Sequence, residues 1–170
     1  MAFPGKKRDY PEPIEVDSVI GACVMVRREA IEQVGLLDED YFLFLEETDW
    51  CYRMKQAGWK VNHVPDVKID HFQGKSAAAE KKKARIEYFR SRYHFFKKNK
   101  GILQWFILFI GLIVRLLTES IFMTFACLFT LGQVRGWRKK LSIYTYLLWW
   151  HMRFCPEEVG LRGNHQDRKD

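Results

Sequence analysis

The sequence predicts an α/β layer followed by amphipathic and membrane-associated helices, and three observations lead there. Ser18 to Val26 is continuously apolar with small residues inside it, the pattern of a strand buried on both faces. Helical spacing then alternates with short extended stretches as far as His71, which indicates an α/β layer. Beyond residue 77 the chain changes character: basic clusters flank a long apolar stretch, and four of the six Trp lie there.

The elements follow in order. Residues 1–17 are polar and Pro-containing and read as an irregular lead-in, with residues 18–76 forming the α/β part. Within the strand of Ser18 to Val26, Gly21 and Ala22 leave room for another backbone or a ligand. Arg28 to Val34 reads as a short helix, with Gly35 just past its end. A turn over Leu36 to Asp40 and a short apolar element, Tyr41 to Leu45, lead to Glu46-Glu47-Thr48-Asp49. Thr48 or a neighbouring acid caps the next helix, whose Trp50, Cys51, Met54 and Ala57 fall at helical spacing. Gly58 closes it. Trp59 to Val64 and Val67 to His71 read as extended, with Pro65 between them.

Residues 77–100 have the pattern of an amphipathic basic helix lying on a surface, with Ile86, Phe89, Tyr93 and Phe96 on one face. Residues 101–155 read as a membrane-associated helical region. Gly101 to Gly132 is too long for one clean span and too short for two, since a crossing takes about 20 residues. A re-entrant hairpin or interfacial helix pair, with both ends in the cytoplasm, is therefore expected. Arg115 and Glu119 can pair on one helical face. Leu141 to Phe154 is a further amphipathic stretch, and residues 156–170 read as a disordered tail.

The net charge of +7 is carried by clusters at Lys81 to Lys83, Arg90 to Lys100 and Arg135 to Lys140. Flanking apolar segments as they do, these suit an anionic membrane surface. No zinc finger, basic zipper or aromatic-interleaved basic sheet accompanies them, so nucleic acid is not an expected partner. Cys23, Cys51, Cys127 and Cys155 include no CxxC pair, which predicts reduced thiols, a cytoplasmic setting and no metal site of their own.

The chemistry concentrates in the acidic segment. Asp49 and Arg53 can form an ion pair one helical turn apart. Glu46 and Glu47 sit at a strand-to-helix joint, where side chains project into a cleft in open α/β folds. Carboxylates this close raise each other's proton affinity, which suits a general base. A helix start that merely carries acids favoured by its dipole is the alternative. His71, at a strand end before Gly74, Lys75 and Ser76, could hold a metal or touch a phosphate, or be a hydrogen-bonded structural residue. His63 reads as structural.

Taken in order, these residues resemble the second half of inverting family 2 glycosyltransferases, especially rhamnosyltransferase-like members. Gly21-Ala22-Cys23-Val24-Met25-Val26-Arg27-Arg28-Glu29-Ala30 looks like the acceptor-side strand and helix. Val34-Gly35-Leu36-Leu37-Asp38-Glu39-Asp40-Tyr41-Phe42 looks like the "G-F-D-E-x-F-F" turn, with Leu36 and Leu37 in place of Gly-Phe. Glu46 to Arg53 with Ala57-Gly58-Trp59 looks like "E-D-x-D-[LW]-C-x-R…A-G-W". Val64-Pro65 and His71-x-x-Gly74-x-Ser76 match the motifs that follow, and Arg90-Ser91-Arg92-Tyr93 is typical of these proteins.

The resemblance implies a partial GT-A (Rossmann-like) layer, a nucleotide-diphosphate-sugar donor, a polysaccharide or lipid-linked acceptor, and a divalent metal, Mg or Mn. It makes Glu47 the catalytic base, at a position where Asp is usual. Asp49 and Arg53 would shape the catalytic site, Gly21, Ala22, Glu46 and Trp50 would face the acceptor, and His71 would contact the metal or diphosphate. The D-x-D motif of the family's first half has no counterpart, since Asp38-Glu39-Asp40 sits in the turn. The expectation is thus the C-terminal portion of such an enzyme at the cytoplasmic face of the inner membrane, inactive without a separate donor-binding half. The alternative is a non-catalytic membrane-anchored adaptor or the remnant of a truncated enzyme.

Overall fold

The computed structural model describes residues 11–66, 69 and 80–162. These are mostly helical: β1 (Ile14–Glu15), α1 (Arg28–Val34), α2 (Glu46–Gln56), β2 (Asn62–His63), α3 (Lys81–Asn99), α4 (Ile102–Phe129) and α5 (Arg135–Met152). They divide into two compact units, the first running up to Asp40 and again from Leu45, the second comprising Tyr41–Phe44 and the chain from residue 80.

In the first unit α1 has the expected bounds. Gly35 follows it at φ +80°, and its N–H closes the last turn on the Ile31 carbonyl at 2.8 Å. Glycine reaches that left-handed region without a Cβ penalty. Helix α2 starts earlier than its sequence suggests, with Glu46, Glu47 and Asp49 in its first turn and Arg53 and Lys55 in its last. Both ends therefore match the helix dipole. Ala30, Cys51, Met54 and Val61 supply the buried apolar residues, and Lys55 Nζ pairs with Asp17 Oδ1 at 2.7 Å.

The expected α/β layer is reduced to one antiparallel pair, with Ile14 opposite His63 and Glu15 opposite Asn62. The lead-in thus contains a strand, and the extended stretch from Trp59 contributes only two paired residues. Ser18 to Val26 is not a strand here. Gly21 and Ala22 turn, and Met25 is 99% exposed. An apolar run records that a segment suits burial between neighbours, but a ladder forms only where a second strand meets its N–H and C=O groups. Among the described residues none does. Apart from Ile69, the second extended stretch from Val67 to His71 lies outside the described residues.

The second unit is a three-helix assembly whose core joins Ile86, Phe89 and Tyr93 of α3, Leu112 and Leu116 of α4, and Leu147 and Trp150 of α5. Each such side chain contributes roughly 1.5–3 kcal/mol on burial. Helix α3 thus turns its apolar face to the other two helices, and it buries Phe95 while leaving Phe96 half-buried. The Tyr93 and Trp150 rings stack at 13°. His151 Nδ1 lies 2.7 Å from the Leu147 carbonyl and Nε2 lies 2.6 Å from the Tyr93 hydroxyl. A carbonyl only accepts, so Nδ1 carries the proton and Nε2 accepts from Tyr93.

Helix α4 replaces the expected hairpin. Its 28 residues run unbroken for about 42 Å at ~1.5 Å per residue, long and apolar enough to cross a membrane. The polar residues that suggested a break are accommodated within it. Arg115 Nε pairs with Glu119 Oε1 at 3.2 Å, and the Thr118 hydroxyl donates to the Arg115 carbonyl at 2.9 Å. The expected loose tail is ordered as far as residue 162. Glu87, only 1% exposed, accepts the N–H groups of Leu161 and Arg162 at 2.8 and 3.1 Å. Arg90 binds Glu87 at 2.7 Å and donates to the carbonyls of Pro156, Glu157 and Val159.

Candidate active site

The chain enters α2 through Phe44 and Leu45, both left-handed at φ +70° and +65°. Two consecutive non-glycine residues there cost about 1–2 kcal/mol each. Leu45, in the N-cap position, offers no side-chain cap, and the N–H of Glu47 instead meets its own carboxyl. This turn sets where Glu46 and Glu47 point. Nothing in the sequence marks it, because glycine or asparagine would be the usual sign of left-handed backbone.

Glu47 is half-buried and its carboxyl titrates above the usual range. Burial is the main cause and the charge of Glu46 adds to it. The backbone N–H groups of Gly21 and of Glu47 itself act in the opposite direction. Removal from water favours the neutral acid, whereas N–H donors favour the anion. A carboxyl under both influences can take up a proton and release it. Gly21 and Ala22 are exposed, so this carboxyl lies beside an open turn. A Cβ built on Gly21 would meet Glu47 Cβ at 3.6 Å, an ordinary contact, and steric need therefore does not explain the glycine.

Asp49, Trp50 and Arg53 are engaged inside the unit. Asp49 is 0% exposed and accepts from Arg53 Nε at 2.9 Å. The two Arg53 Nη groups donate to the carbonyls of Val34 and, at 2.7 Å, of Leu36. Trp50 Nε1 donates to the Gly35 carbonyl at 2.9 Å. The three together tie the carbonyls at the end of α1 to one side of α2, so the ion pair read from sequence is present and holds backbone. A neighbouring tie, from Trp59 Nε1 to Gln33 Oε1 at 2.8 Å, has no counterpart in the sequence reading. Its only sign there is a tryptophan directly after a helix-closing glycine.

Glu46 is half-buried, and its Oε2 is buried without a hydrogen-bond partner among the described residues. Cys51 is buried and its thiol is pushed up, chiefly by burial, which suits packing rather than nucleophilic work. In the preceding turn the Asp40 N–H donates to Asp38 Oδ1 at 2.9 Å, so Asp38 serves as a turn former. His71 lies outside the described residues. Gly21, Ala22, Glu46 and Glu47 thus form one neighbourhood, and Asp49, Trp50 and Arg53 the brace behind it.

Residues 14–89 match the model of a family described as glycosyltransferase like family 2. Over that segment, which is less than half of the chain, the sequence is similar to glycosyltransferase family 2. The matched segment contains the acidic turn of α2 and all seven of these residues. Among curated proteins the chain is similar to the N-acetylglucosaminyl-diphospho-decaprenol L-rhamnosyltransferase of Mycobacterium tuberculosis, 32% identical over 53% of this chain and 29% of that protein. It is 32% identical to the low-salt glycan biosynthesis hexosyltransferase Agl10 of Haloferax volcanii, over 42% of this chain and 22% of the relative. It is 36% identical to the dTDP-rhamnosyl transferase RfbF of Shigella flexneri, over 36% of this chain and 21% of the relative. The chain spans under a third of the length of the curated relatives it matches, and no solved structure matches it.

Proposed function

We propose that this segment supplies the general base and acceptor side of an inverting glycosyl transfer from a nucleotide-diphosphate sugar to a lipid-linked or polysaccharide acceptor. One observation carries the reading: Glu47, in the acidic signature of a family 2 segment, is half-buried with raised proton affinity next to the open Gly21–Ala22 turn. The acceptor hydroxyl gives its proton to Glu47 as its oxygen attacks the anomeric carbon, and the nucleoside diphosphate leaves from the opposite face. Glu46 keeps the proton affinity of Glu47 high, and the Asp49–Arg53 brace fixes the helix that carries both. The rhamnosyltransferase names among the relatives make a deoxyhexose the donor of first choice.

A divalent cation on Glu46 would cancel the charge that raises the proton affinity of Glu47, so the ion belongs on the donor side in this reading. There Mg²⁺ or Mn²⁺, with His71 as a ligand, would offset diphosphate charge in the leaving group. The donor-binding elements are supplied by other sequence in this reading, and this chain alone is inactive. Its basic second unit favours work at the cytoplasmic face of the cell membrane, where anionic lipid attracts it.

The test is transfer from dTDP-rhamnose to a lipid diphosphate acceptor, with the chain alone and with the donor-binding portion of a relative added. Transfer is expected only in the mixture, lowered about 10²-fold or more by Glu47→Gln. Undiminished transfer by that variant would remove Glu47 as the base. Transfer in neither case would favour a non-catalytic membrane-anchored adaptor.

A further inference from the structure

We infer that the second unit lies flat in the surface of an anionic lipid leaflet, with the outer face of α4 in the acyl boundary and α3 and α5 in the headgroup layer. This rests on the membrane location proposed above and adds the orientation. Ile107, Val114, Ile121 and Phe125 are each more than half exposed and recur every four or seven residues, so they form one stripe. Ile102 and Phe129, also exposed, extend the apolar surface to both ends of the helix. The hydroxyl of Thr118, on the same side, is already bonded to the Arg115 carbonyl and brings no unmet polar group into lipid.

Charge selects the occupant. Residues 80–162 hold sixteen Lys and Arg against five Glu and no Asp, an excess that suits anionic headgroups and opposes a second copy of the same basic unit. The packing of the unit selects the orientation. Helix α5 returns along α4, since Glu119 binds Tyr144 and Phe109 meets His151 with ring centroids 5.7 Å apart. Helix α3 also runs beside α4, where Tyr93 meets Trp105 and Phe109. If α4 crossed the membrane, α3 and α5 would have to follow, carrying Arg90, Arg92 and Lys140 into hydrocarbon. Seated flat, the same helices keep their charges at the headgroups, and Arg115, with 57% of its side chain exposed, can reach phosphate from the edge of the stripe.

The test uses the full chain with vesicles of equal parts phosphatidylglycerol and phosphatidylcholine, by flotation and by oriented circular dichroism in aligned bilayers of that composition. Binding is expected to be at least ~10-fold tighter than to phosphatidylcholine alone, and to weaken as salt is added. Val114→Glu combined with Ile121→Glu is expected to lower binding at least ~10-fold with unchanged helicity in solution. Helices aligned with the bilayer plane support the inference. Alignment with the bilayer normal overturns it and leaves the membrane location standing. Absence of flotation overturns both, and concentration-dependent oligomers would then identify a second copy as the occupant of the stripe.

Discussion

Glu47 in the first unit and Glu87 in the second are both carboxyls drawn out of water, and their partners give them different work. Glu87 is nearly fully buried, with Arg90 and the N–H groups of Leu161 and Arg162 on its oxygens. Glu47 is half-buried, and among the described residues the groups that act on its titration include a second carboxylate and no cation. A carboxylate whose acceptor capacity is used by the fold is a fastener. One kept short of counter-charge beside an open turn remains available for a proton.

Removing the fastener should have the largest effect on stability. Glu87→Ala leaves Arg90 without its buried partner and two N–H groups unmet, and is expected to cost about 3–5 kcal/mol, read as a large fall in the thermal midpoint. A midpoint near that of the unaltered protein would mean that the tail is not held there. Gly160 should be similarly intolerant, because it combines φ +134° with a Cβ position that clashes with Glu87 Oε1.

A smaller effect is expected from Tyr93→Phe, which leaves the buried Nε2 of His151 without its donor at a cost of about 1–2 kcal/mol. Burial also holds His151 below its ordinary value of 6.5. The unfolded chain therefore binds this proton more readily than the folded one. Stability is at its full value above that pH and declines as pH falls from there toward the lowered folded value. Unfolding midpoints measured on either side of the window check the sign.

The smallest effect belongs to Glu47. With its proton affinity raised above the usual 4.5, the folded state holds the proton more tightly than the unfolded one. The resulting stability is present below that pH and is lost as pH rises through the raised value, by less than about 1 kcal/mol for a half-exposed group. Glu47→Gln should flatten this slope. In the transfer assay the acid limb should lie at the raised value, because the base must be ionised to act. An acid limb at the ordinary glutamate value would weaken the contrast with Glu87.

The two helices of the first unit were legible in the sequence because their signals are local: helix spacing with Gly35 and Gly58 marked α1 and the end of α2. The strand expected over Ser18 to Val26 was not, since an apolar run does not report whether a second strand will meet it. The turn at Phe44–Leu45 was not legible, since its conformation is imposed on residues that do not prefer it. Nor was the continuity of α4: Arg115, Thr118 and Glu119 look like a break until their pairing and back-bonding within one helix are seen. The order of residues 156–162 depends on Glu87 and Arg90, more than 60 residues earlier, and no local pattern reports such a partner.

The open run from Ser18 to Val26 has a practical consequence. Although it forms no strand, it leaves Ile20, Val24 and Met25 at 60%, 40% and 99% exposure, an apolar surface that water does not favour. In a concentrated solution another molecule of the same chain can cover it, so self-association should increase with concentration. A segment that packed on it would act as a solubilising partner as well as a structural one.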